Sequence, residues 1–114
     1  MKTILLIHLL HIFIIGGLFL YVGIYKTNIS KGIYTFLLYL GIIIIFYHMY
    51  KTYNYFILGK NYWLYNLMHI LIVGPLLIYV GLNKEKTPIP FFDFILMLGF
   101  ASIGYHGYYT IKNM

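Results

Sequence analysis

Four of the five histidines in this chain fall at one fixed offset: His11 and His69, and His48 and His106, are each 58 residues apart. Neutral imidazole is the commonest metal ligand and the side chain whose charge changes closest to neutral pH. Three kinds of chemistry follow. The histidines could ligate haem or a divalent transition metal, since imidazole suits Zn, Cu, Fe and Ni and is a usual axial ligand of haem. They could titrate and pass protons, or gate a cation channel or transporter, as ionisable residues inside a membrane often do. They could also be structural, bonded across helices to Tyr, Asn66, Ser102 or backbone, at an average of only ~0.6 kcal/mol per bond. His8 stands one helical turn before His11 and shares its face. Its 58-residue equivalent, Asn66, is also polar.

Glycines accompany the histidines at heptad spacing. Gly41 precedes His48 by seven residues and Gly99 precedes His106 by seven, with Ser102 on the same side. Seven residues leave two positions about 20° out of alignment, so a smooth surface two turns from a histidine would accommodate a flat ligand such as a porphyrin. Gly16 and Gly23, with their counterparts Gly74 and Gly81, lie on another face and predict close helix packing. Pro75 stands opposite Gly17 and predicts a kink. There is no carboxylate pair, no glycine-rich phosphate loop, no Ser with an oriented His and Asp, and no H-E-x-x-H motif. The expectation is a protein that is not an enzyme. With no cysteine, thiolate ligands and disulfides are excluded.

The elements that carry these residues are apolar. Of 114 residues, 62% are hydrophobic and only ten are fully charged (eight Lys, Asp93 and Glu85), against roughly 25% charged in an average soluble domain. That balance excludes a soluble enzyme, a disordered tail or a nucleic-acid binder, and makes the lipid bilayer the expected partner. The runs Ile4–Tyr25, Ile33–Tyr50, Tyr62–Leu82 and Phe91–Tyr109 have 18 to 22 residues each, and about 20 suffice to cross a bilayer. Lys2, Lys26, Lys31, Lys51, Lys60, Lys84, Lys86 and Lys112 stand between or beyond them, as interfacial anchors rather than a phosphate-binding stripe. Abundant Tyr and Trp63 near the run ends match an aromatic belt. Met1-Lys2-Thr3 before an apolar stretch resembles a signal peptide, but the run exceeds the usual 7–15 residues and no A-x-A-like site follows, so a retained helix is expected.

The 58-residue offset extends well beyond the histidines. Residues 11–50 match 69–108 without a gap at 17 of 40 positions. The expected fold is all-α: a transmembrane four-helix bundle made of two parallel two-helix hairpin repeats, 1–56 and 59–114, in one structural domain, related by a pseudo-twofold along the membrane normal. Both termini then share a side, and the histidines lie toward one membrane surface, His11 roughly 5 Å and His48 roughly 10 Å from mid-span at 1.5 Å per residue. Lysines divide four and four between the two sides, so the positive-inside rule selects no orientation.

The stretch Asn66-Leu-Met-His69-Ile-Leu-Ile-Val-Gly-Pro75-Leu-Leu-Ile-Tyr-Val-Gly81, with Gly104-Tyr-His106-Gly further on, resembles small four-span hypothetical membrane proteins of large DNA (giant) viruses. That resemblance implies a viral or host membrane location and carries no activity with it. Three functional expectations stand in order: a haem or metal site held by His11, His48, His69 and His106; a small proton or cation conductor, homo-oligomeric, in which they titrate; and a structural membrane or viral-envelope protein.

Overall fold

The computed structural model describes residues 2–61 and 63–113. Met1, Tyr62 and Met114, together with the side chain of Lys2, lie outside the described residues, and with them the expected start of the third run and the Lys2 anchor. The fold is all-α. Helix α1 (Lys2–Leu10) runs through a π turn (His11–Ile15) into α2 (Gly16–Tyr25), followed by α3 (Lys31–Ile57). Helix α4 (Trp63–Met68) runs through a second π turn (His69–Val73) into α5 (Gly74–Asn83), and α6 (Ile89–Lys112) follows.

Four helical segments, Thr3–Asn28, Lys31–Ile57, Trp63–Lys86 and Ile89–Lys112, are long and apolar enough to cross a membrane. Between 11% and 28% of each apolar window is buried inside the protein, so most of its Ile, Leu, Phe and Tyr surface needs an apolar solvent. This is the pattern of a small polytopic integral membrane protein. Helix α3 continues past the expected boundary at Tyr50 by two turns. Lys51 stays on it by laying its ammonium over the rings of Tyr47 and Tyr55, one turn away on either side, at 5.5 and 5.9 Å. The helix stops at Gly59, whose φ of +70° lets the Lys60 and Gly59 amides return to Tyr55 O and Phe56 O, a Schellman closure that glycine favours.

Contacts divide the chain into two compact units. The first contains α1, α2 and α6; the second, residues 30–87, contains α3, α4 and α5. These units do not follow the sequence repeats 1–56 and 59–114: each takes one helical segment from each repeat. Within both units the segments run antiparallel. In the first, a Cβ on Gly16 would meet Ile103 and one on Gly23 would meet Leu96; in the second, Gly74 meets Ile45 and Gly81 meets Leu38. Each pair in one unit becomes its counterpart in the other when 58 is added to one number and subtracted from the other. The buried apolar residues obey the same rule, with Phe19, Val22, Phe92 and Ile95 answered by Leu77, Val80, Tyr34 and Leu37.

The turns correspond as well. Lys26 and Lys84 end their segments at φ 53° and 51°, a region that L side chains rarely occupy. Lys26 holds its position by donating from Nζ to Gly23 O at 2.7 Å and pairing with Asp93 at 2.9 Å. Residue 35, the counterpart of Asp93, is Thr, so this carboxylate belongs to the first unit alone.

Candidate functional site

Each π turn begins on a histidine and ends before a glycine, where the amide of Gly16 returns to His11 O and that of Gly74 to His69 O. Such turns are rare and concentrate at functional sites. Pro75 does not create the second one, because the first unit makes the same turn with Gly17 in its place. In both turns the histidine Nδ1 reaches the carbonyl four residues back: His11 to Ile7 O at 2.7 Å and His69 to Tyr65 O at 2.9 Å. A carbonyl only accepts, so Nδ1 carries the hydrogen, and the neutral ring keeps its lone pair on Nε2.

In the first unit α6 presents His106 to this segment. His11 stacks on His106 with ring centroids 4.2 Å apart and planes 26° apart. His8, from α1, brings its Nδ1 to 2.8 Å from Nδ1 of His106. Tyr105 stands edge-on to His106 at 5.0 Å, and Tyr109 stacks over His8 at 6.2 Å. Ser102 donates to His11 O at 3.1 Å.

In the second unit α3 presents His48 to the other π turn. His69 stacks on His48 at 4.1 Å with planes 17° apart. Asn66, from α4, accepts from His48 Nδ1 through Oδ1 at 2.7 Å. Both His48 and Asn66 are only 7% exposed, and Tyr47 lies edge-on to His48 at 5.2 Å. The expected histidines are thus brought together by pairs, His11 with His106 and His48 with His69, each joined by His8 or its counterpart Asn66.

The stacking bears directly on ligation. An imidazole lone pair lies in the ring plane, and a metal sits about 2.0–2.1 Å from the nitrogen along it. Two rings stacked some 4 Å apart point into near-parallel planes that do not converge on one ion. Among the described residues, no group of three or more His, Cys, Asp or Glu is arranged to hold a metal.

Gly41 and Gly99 do not offer the open surface expected of them. A Cβ on Gly41 would lie 2.8 Å from Gly74 O and 2.9 Å from Ile78, and one on Gly99 3.1 Å from Phe19. The facing segment fills the space assigned to a flat ligand, so both glycines serve helix approach, as Gly16, Gly23, Gly74 and Gly81 do. The π turns and the contacts of Tyr105 and Tyr109 were not anticipated from sequence. The signal available was the offset itself, which sets Tyr109 against Lys51 and Tyr105 against Tyr47.

No protein-family model, curated protein or solved structure matches the chain.

Proposed function

We propose that this small polytopic membrane protein handles protons inside its spans and passes them through the histidine cluster of the first unit. The observation that carries this reading is the 2.8 Å approach of His8 Nδ1 to His106 Nδ1. Two nitrogens at that distance need one hydrogen between them: one ring donates and the other accepts. When the pair takes up a proton, the two rings share it as a unit. Two imidazolium rings would set N–H against N–H, so the contact holds one extra proton and no more. The rings of His11, Tyr105 and Tyr109 pack against the pair, and ionisable residues at intramembrane positions are costly and mark proton pathways. The geometry favours this reading over haem or metal ligation, which stacked rings serve poorly.

The test uses purified protein in liposomes loaded with a pH-sensitive dye, with a potassium gradient and valinomycin to set the potential. The expected result is acidification above that of empty liposomes, growing with protein content. Folded, monodisperse protein that gives no more flux than empty liposomes overturns the reading. Stoichiometric Zn, Cu, Fe or Ni, or a Soret band, in the same preparation restores the cofactor reading in its place.

A further inference from the structure

We propose that the two histidine clusters have different roles: the first relays a proton and the second does not, because Asn66 stands where the relay needs a histidine. The inference rests on the proton-handling reading above. It follows from comparing what each central histidine bonds to at Nδ1.

In the first unit, take His8 as the Nδ1–H tautomer donating to the Nδ1 lone pair of His106. A proton binds at Nε2 of His8. The bridging hydrogen moves to Nδ1 of His106, and the Nε2 hydrogen of His106 leaves. One proton enters, one departs, and no electrons change hands. His8 is left with its hydrogen on Nε2 and His106 with its hydrogen on Nδ1, so the bond now points the other way. The cycle closes without carrying a proton back when the Nδ1–Nδ1 contact opens and each ring exchanges its hydrogen with water on its own side, His8 from Nε2 to Nδ1 and His106 from Nδ1 to Nε2.

In the second unit the pair equivalent to His8 and His106 cannot perform this step. His48 donates to Asn66 Oδ1, and a carboxamide oxygen accepts a hydrogen bond without passing a proton on. The bond also holds His48 in the Nδ1–H tautomer.

A second difference lies at a neighbouring position. Tyr109, which stacks on His8 in the first unit, is replaced at its counterpart by Lys51. Lys51 stands three residues from His48 on α3, within a helical neighbour's reach, and its ammonium lies over Tyr47, the ring packed against His48. Lys112 lies likewise over Tyr109, at 5.8 Å, so what distinguishes the clusters at this position is an aromatic ring in the first and a lysine in the second. The titratable side chains in contact with the first cluster are His11, Tyr105 and Tyr109, with Lys112 over Tyr109 at 5.8 Å. Those against the second are His69, Tyr47 and, through Tyr47, Lys51.

The exchange variants borrow residues that the fold already holds at the equivalent place, which protects folding. In the liposome assay, H8N lowers proton flux at least tenfold. Adding N66H and K51Y to H8N rebuilds the relay in the second unit and raises flux at least fivefold over H8N. Flux that is unchanged in H8N, in a parent protein that conducts, overturns the relay while leaving proton handling intact. Histidine 15N spectra of the parent protein in bilayers supply a readout independent of flux. Between pH 8 and 5, His48 is expected to stay a single Nδ1–H tautomer while His8 and His106 show one hydrogen averaged between them. Titration of His48 together with or ahead of His106 overturns the inference, even if no flux is found.

Discussion

His106 in the first unit lies between two histidines of the segment it faces, whereas His48 in the second lies between a histidine and an asparagine. The helix packing around them is shared: glycines against Ile and Leu at the same registers, the π turns, and the buried apolar set. The difference teaches that packing and chemistry are separable here. Shape depends on small residues, because lipid tails are as apolar as the helices and close contact is what holds helices together. On the proposed reading, proton chemistry depends on two positions, 8 against 66 and 109 against 51, that packing leaves open to change.

The comparison breaks most visibly in flux. H106A is expected to lower proton flux more than tenfold in liposomes, while H48A lowers it no more than twofold; equal losses would make the clusters equivalent. Stability should show the reverse, with the units behaving alike. A Cβ on Gly23 would lie 2.6 Å from the Cα of Leu96, and one on Gly81 2.8 Å from Tyr34 O. These are backbone contacts that no rotamer change relieves. G23A and G81A are each expected to cost about 1–3 kcal/mol, measured by reversible unfolding in mixed micelles. A loss confined to one of them would show that the two interfaces are not equivalent. The smallest effect belongs to the pair present in the first unit only. Asp93 is 55% exposed, and such ion pairs contribute about 0–1 kcal/mol, so D93N should shift the same unfolding midpoint only slightly and less in high salt.

Much of this was legible in the sequence. Apolar run length gave four spans, because a bilayer demands about 20 residues whatever their order. The 58-residue offset singled out His11, His48, His69, His106 and the His8–Asn66 difference, polar residues where lipid penalises them, and the structure brings them together in pairs. The pairing of segments was hidden: runs this uniformly apolar carry no stripe saying which face meets which neighbour, and sequence order suggested hairpins. The π turns were hidden as well, because hydropathy does not register one residue of extra winding. Gly41 and Gly99 misled for a related reason. A bare surface reads the same whether a ligand or another backbone fills it.

The order in which the chain is made gives the unit boundaries a further consequence. Residues 30–87 are continuous, so the second unit has all its parts once Thr87 has been synthesised. The first unit joins residues up to Ile29 with residues from Pro88 onward. Its opening segment carries His8 and His11 into the bilayer and holds them there while two further spans are inserted, until α6 supplies His106. Chains grow from the N-terminus at about 5–20 residues per second, so that wait lasts on the order of seconds. Of these four segments, the one made earliest is the last to find its partner.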